Sequence, residues 1–244
     1  MLNLKLIKAI TLDLDDTLWP VWPAIERAEK ALENWLALSS PKTAALMANP
    51  TERLVLREHI MSSRPELLHN LSAIRREMIG LALLRSSEDP LLADEAFTVF
   101  FDERNRVVLY DDALLALAFL SARFPIVALS NGNADIVRIG LKPYFHASVS
   151  AQSFGVAKPD VRIFHAAAQA ADTSPGNILH IGDDDALDVL GALKAGMQTV
   201  WLNRASNPWL HGDELLNTPN LTVTSLSELC ELISAEEVAR GVAG

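Results

Sequence analysis

Asp13-Leu14-Asp15-Asp16-Thr17 sets two carboxylates at alternate positions just beyond an aliphatic run. In an extended chain side chains alternate between faces, so Asp13 and Asp15 point one way and Leu14 the other. Two carboxylates aimed at one spot repel unless a cation or a shared proton intervenes. The same residues also suit a turn whose side chains cap a following helix. Further along, Gly182-Asp183-Asp184-Asp185-Ala186-Leu187-Asp188 crowds acidic groups where a helix would begin. Capping accounts for one or two of these, such as Asp184 or Asp185, but not for all. Two acidic clusters at one sheet edge make a site for a hard divalent cation. With no histidine pair or thiolate beside them, Mg²⁺ is favoured over Zn²⁺.

Two other segments bring complementary groups. Ser130-Asn131-Gly132-Asn133 offers a hydroxyl, an amide and a glycine turn, all able to hydrogen-bond an anion, although an ordinary Asn-Gly turn fits equally. Lys158-Pro159-Asp160 precedes a helical stretch, with Asp160 suited to its N-cap. An isolated lysine is commonly a solvated charge, but Lys158 follows the apolar, glycine-bearing stretch 154–157 and is read as pointing inward.

These segments all sit where short strands end. Aliphatic and β-branched runs at 7–14, 125–130, 147–151, 177–181 and 199–202 read as buried parallel strands, and the stretches 160–171, 185–195 and 225–238 as helices. Alternation of the two implies an α/β fold with a Rossmann-like parallel sheet, in which ligands gather at the carboxyl ends of the strands. Between Asp13 and Ser130 the chain is far longer than the dozen or so residues a crossover requires. Ile25, Ala28, Leu32 and Trp35 recur at helical spacing, as do Leu67, Leu71, Ile74, Met78 and Leu81, so this stretch reads as an inserted helical module. The expected division is a core of residues 1–18 and 109–244 and a helical insert of residues 19–108. Ser225 and Glu228 fit a capping box opening the last helix.

Composition narrows the function classes. Across 244 residues the formal charge is −10, which disfavours nucleic acid and anionic membrane surfaces as partners. Half the residues are hydrophobic, enough for a sizeable core. The single cysteine, Cys230, excludes an internal disulfide and reads as a packed thiol on the last helix. Lys5 and Lys8 interrupt the apolar N-terminus, which reads as a strand, not a signal peptide. A cytoplasmic protein, monomer or homodimer, is expected.

In chain order, LDLDDTLW at 12–19, LSNGN at 129–133, AKPD at 157–160 and HIGDDDALDVLGA at 180–192 resemble the four motifs of the haloacid dehalogenase-like hydrolase superfamily. The insert is similar in position to that family's C1-type helical cap. The resemblance implies Asp13 as a nucleophile that forms an aspartyl-phosphate, and Asp15 as the acid and base for leaving group and water. It implies Ser130 and Lys158 as catalytic groups around the phosphoryl oxygens. Thr17, Asn131, Gly132 and Trp19 would serve the substrate, Thr17 chiefly by orienting the first loop and Trp19 as a stacking surface. Mg²⁺ would be held by Asp13, Asp15 (through its carbonyl) and Asp183, with Asp188 at the metal or supporting Lys158. Asp15 separates phosphoryl-transfer members from dehalogenases, which lack an aspartate two residues after the nucleophile. A small phosphate ester is the implied substrate, and the core segments most resemble bacterial flavin-biosynthesis pyrimidine phosphatases. A sugar phosphomutase or a non-catalytic binding protein are the alternatives.

Overall fold

A computed structural model describes residues 2–212 and 217–241. It divides the chain into two compact units: Met1–Pro20 with Leu109–Gly132 and Gly140–Gly244, and Val21–Val108 with Asn133–Ile139. Among the described residues no helix is long and apolar enough to cross a membrane.

The first unit is built on a six-stranded, wholly parallel sheet. Its strands are β1 (Ala9–Leu12), β2 (Ile126–Ser130), β3 (Ala147–Ser150), β4 (Ile178–Gly182), β5 (Gln198–Leu202) and β6 (Leu221–Val223), in spatial order β3-β2-β1-β4-β5-β6. β1, β2 and β4 are buried along their whole length, which suits their continuous aliphatic sequences. Helices α6 (Ala113–Ser121), α7 (Ala151–Phe154) and α8 (Val161–Ala170) belong to this unit, and Ala9, Val127, Leu129 and Ile178 pack with Ile163, Phe164, Ala167 and Ala168 of α8 in one apolar cluster. From β1 the connections run one way to β2 and β3, while β4 lies on the other side. The crevice beyond the carboxyl ends of β1 and β4 is therefore the switch point at which such sheets bind ligands.

Five strands fall where the sequence suggests. β6 was not anticipated, since its three residues include the exposed Thr222 and carry no sustained apolar run. The helix expected at 185–195 is a wide π-helical turn, Asp185–Leu190, followed by α9 (Gly191–Lys194). The Asp188 and Val189 N–H groups both donate to the Asp184 carbonyl, at 3.0 and 3.2 Å. α10 (Leu226–Gly241) begins at Ser225, whose hydroxyl accepts from the Glu228 N–H. The Glu228 carboxylate reaches back to Thr224 instead of Ser225, so the reciprocal half of the expected capping box is shifted by one residue. Cys230 is only half-buried.

The second unit is helical: α1 (Val21–Ser39), α2 (Pro41–Ala48), α3 (Pro50–Ser63), α4 (Leu71–Arg85) and α5 (Ala93–Arg104). Its core joins Ala28, Leu32 and Leu36 to Leu56, Ile79, Leu83, Phe97 and Phe100. The buried row of α1 is Ala24, Ala28, Leu32 and Leu36, so Ile25 and Trp35 lie at its margin. On α4 the buried residues include Ile74 and Ile79, while Leu71 is exposed. The unit differs from the expected insert of residues 19–108 at its start, Val21, and in taking in a separate segment, Asn133–Ile139. Trp19 is fully buried and hydrogen-bonded to Asp15 of the sheet unit. Segment 133–139 joins the helices because the Asp135 N–H donates to Asn105 Oδ1 at 2.7 Å and Arg138 pairs with Asp102.

Candidate active site

The Asp13 N–H donates to the Ile181 carbonyl at 3.0 Å, which extends the β1–β4 ladder one residue and fixes Asp13 at the switch point. The chain then turns sharply: Asp16 adopts a left-handed φ of 59°, a region that aspartate tolerates better than most residues. The Asp16 N–H donates to the Trp19 carbonyl at 2.8 Å, and the Trp19 indole N–H to Asp15 Oδ1 at 2.9 Å. Trp19 is therefore not the stacking surface expected of it. Full burial leaves no open ring face for a ligand, and its polar edge orients Asp15.

Gly132 makes room for Asp15 from the other side. A Cβ there would collide with the Asp15 carboxylate and sit 3.2 Å from Ser130 Oγ. Ser130, buried at the end of β2, accepts the Gly132 N–H at 2.9 Å and shapes this turn. Asn131, expected to face an anion, grips a backbone instead. Its amide donates to the Lys158 carbonyl at 2.9 Å and its Oδ1 accepts the Lys158 N–H at 2.7 Å. Both amide groups are thereby spent on positioning Lys158.

Lys158 points inward, as expected. Its side chain is 3% exposed, and Nζ lies 2.5 Å from both Asp13 Oδ1 and Asp188 Oδ1. The wide turn after Asp184 carries Asp188 back beneath Gly182, where any side chain at 182 would collide with the Asp188 carboxylate. Asp188 Oδ1 also faces His180 Nε2 at 3.1 Å, and Oδ2 accepts the Asp184 N–H at 3.1 Å. Asp184 caps the turn by accepting the Ala186 and Leu187 N–H groups, and Asp185 lies 3.0 Å from His211. Thr17, fully buried, donates its hydroxyl to Asp183 Oδ1 at 3.0 Å, so it orients a carboxylate instead of meeting a ligand.

The electrostatics follow from three carboxylates gathered near one ammonium, which pairs directly with Asp13 and Asp188. Burial raises Asp13 well above the usual carboxylate range, with Asp188 and Asp183 adding to it against the pull of Lys158. Burial, with Asp188 beside it, pushes Asp183 up to about 7. Burial also works against the charge on Asp188, yet Lys158 and His180 hold its carboxyl below the usual range. Burial pushes the His180 imidazole below its ordinary value. Asp13, Asp183 and Asp188 each present an oxygen within 4.8 Å of the others. An all-oxygen set whose negative charge Lys158 balances only in part has the chemistry to hold a hard metal ion.

Sequence reasoning did not single out Thr11, His180, Trp201 or Arg204. The Trp201 indole N–H donates to the Asp183 carbonyl at 2.9 Å, and Arg204 donates to the Thr17 carbonyl at 3.0 Å. His180 had a signal: it lies two residues before Gly182 on β4, and so on the same face. Arg204 had none.

The haloacid dehalogenase-like hydrolase family model matches residues 7–196. The chain is 30% identical over 231 residues to the 5-amino-6-(5-phospho-D-ribitylamino)uracil phosphatase YigB of Escherichia coli K12, covering 93% of this chain and 96% of that protein. It is 27% identical over 237 residues to a glyceraldehyde 3-phosphate phosphatase of Methanopyrus kandleri, covering 93% and 97%. Among solved structures it is similar to a 2-haloacid dehalogenase from Pseudomonas syringae pv. tomato DC3000, with 35% identity, 94% and 99% coverage and a TM-score of 0.87. With its parallel sheet and its Asp13, Lys158 and Asp183 gathered at one switch point, the chain belongs to the haloacid dehalogenase-like hydrolase family.

Proposed function

We propose that this HAD-like phosphatase hydrolyses the phosphate monoester of a small metabolite through an aspartyl-phosphate on Asp13, with Mg²⁺ as cofactor. The observation that carries this is Asp15, two residues after Asp13, whose carboxylate is held by the Trp19 indole and given room by Gly132. An Asp13 oxygen attacks phosphorus as the bond to the ester oxygen breaks, and Asp15 delivers a proton to the departing alkoxide. Asp15 then takes a proton from water, whose oxygen attacks phosphorus; the bond to Asp13 breaks and inorganic phosphate leaves. Lys158 and the Ser130 hydroxyl stabilise charge on the phosphoryl oxygens. Asp13, Asp183 and the Asp15 carbonyl would hold Mg²⁺, with Asp188 alongside, and the ion would neutralise phosphoryl charge. Likeness to the Escherichia coli protein supports a ribitylaminouracil phosphate as substrate.

The likeness to the Pseudomonas syringae structure favours a second reading, in which Asp13 displaces halide from carbon. A departing halide needs neither a proton nor a cation, so that reaction leaves Asp15 without a task. A panel of phosphate esters, including an aryl phosphate and a ribitylaminopyrimidine phosphate, run beside 2-chloropropionate, separates the two. Phosphate release that stops with chelator and falls by about 10³-fold or more in D13N is expected. Chloride release without phosphate release would overturn the proposal.

A further inference from the structure

We propose that His180 is a positioning residue for phosphoryl transfer: it fixes Asp188 so that Lys158 stays against Asp13, and Thr11 in turn fixes His180. The proposal rests on the phosphatase function above and concerns a part of the site outside the residues that meet substrate.

His180 occupies the middle of β4, where its neighbours Leu179 and Ile181 are apolar and it is itself 1% exposed. An imidazole at such a position costs desolvation unless both nitrogens find partners. Both do. Nε2 lies 3.1 Å from Asp188 Oδ1 and Nδ1 lies 2.8 Å from Thr11 Oγ1. A carboxylate only accepts, so Nε2 carries the proton and donates it, and Nδ1 accepts the Thr11 hydroxyl. The partnership is built into the sheet, because the β1–β4 register sets Thr11 directly opposite His180. The Phe164 ring packs against the imidazole at 88°, with ring centroids 5.2 Å apart, from the helix side.

Fixing Asp188 matters because Lys158 is shared. Its ammonium lies equally close to Asp13 and Asp188, so the direction of the Asp188 carboxylate sets where the ammonium rests. The Asp184 N–H holds Oδ2, and His180 is the side chain besides Lys158 that holds Oδ1. A continuous chain thus runs from Thr11 through His180, Asp188 and Lys158 to Asp13. Loosening its middle link displaces an ammonium that must meet charge developing in the transition state.

The test uses the full chain with Mg²⁺ and an aryl phosphate. H180F fills the space without an N–H, H180Q restores an amide N–H, and each is also placed on K158M; thermal melts confirm folding. H180F is expected to lower kcat by about 10- to 100-fold with KM within about twofold, and H180Q to recover much of that loss. On K158M, H180F is expected to remove less than about twofold more of the residual rate, since there is no ammonium left to align. A merely structural histidine would instead be replaced best by Phe, and its effect would multiply fully onto K158M. Folded H180F with wild-type kcat, or full multiplication, overturns the proposal. If H180F does not fold, T11V carries the test: a severalfold fall in its kcat supports the proposal, and unchanged kcat overturns it. Absence of phosphate release by the wild type would overturn the phosphatase function and this proposal with it, an outcome distinct from failure of the His180 variants alone.

Discussion

Gly132 has no functional group, yet its lack of one decides where Asp15 can stand. A methyl at this position would meet the Asp15 carboxylate far inside contact distance and Ser130 Oγ at 3.2 Å. Asp15 cannot easily yield, since the Trp19 indole holds its other oxygen. G132A is therefore expected to lower kcat by about 10²-fold, the cost of shifting a catalytic group by about 1 Å, and to lower the melting temperature by roughly 2–10 °C, since overpacking costs about 1–3 kcal/mol. Steady-state kinetics with a melt on the same sample checks this; wild-type kcat in a folded G132A would show that Asp15 is not held as described. At this scale the sequence was most legible for groups at strand ends. The carboxylates after β1 pointed to Asp13 at the strand end, and the apolar approach to Lys158 signalled an inward ammonium. It was least legible for partners. Nothing in Ser130-Asn131-Gly132 distinguishes an amide facing an anion from one gripping the Lys158 backbone, because that depends on a chain segment brought close only by folding.

Elements impose the next constraint, through the connections that end beside the site. Arg204, just beyond β5, donates to both oxygens of Asp112, at 2.9 and 3.1 Å, and lies 4.0 Å above the Tyr110 ring. Asp112 also accepts the Leu226 N–H at 2.7 Å at the start of α10, and Arg204 reaches the Thr17 carbonyl. One ion pair thus ties three connections of the sheet unit to the loop that carries Thr17 and, through it, Asp183. Partial burial works against its charge, yet the Arg204 guanidinium and the Leu226 N–H hold the Asp112 carboxyl below its usual range. A carboxyl held below its unfolded value adds stability above a pH of about 3.9, and that stability fades as pH falls through the folded value. D112N should therefore cost about 2 kcal/mol at neutral pH and show a flatter loss of stability in acid; urea melts across the acid range would expose either failure. Neither residue lies in a motif, and the pairing joins positions far apart in sequence, so no local pattern announced it. The π-helical turn at Asp185–Leu190 escaped for a related reason: apolar spacing there fits a regular helix, and only the collision of Asp188 with anything larger than glycine at 182 calls for the wider turn.

For the whole molecule the question is how a chain of formal charge −10 handles an anionic ester. The global charge repels such a ligand weakly through salt-screened solvent, whereas the site acts at contact distance, so local compensation decides. Lys158 balances only part of the charge of Asp13, Asp183 and Asp188, and burial together with the neighbouring Asp188 raises Asp183 to about 7. That imbalance works against the folded state, and a bound cation would relieve it. Mg²⁺ at one hundred times its dissociation constant should therefore add about 2.7 kcal/mol, which in a chain of this size raises the melting temperature by roughly 5–10 °C. An acidic protein also gains from simple screening, so the comparison must be made against NaCl of equal ionic strength. D183N removes a donor and a repelling charge together. Without divalent cation it should melt above the wild type, and with Mg²⁺ below it. A general ionic effect would shift both proteins equally and leave their order unchanged, so the crossing of the two melting curves is what distinguishes a bound ion from a screened surface.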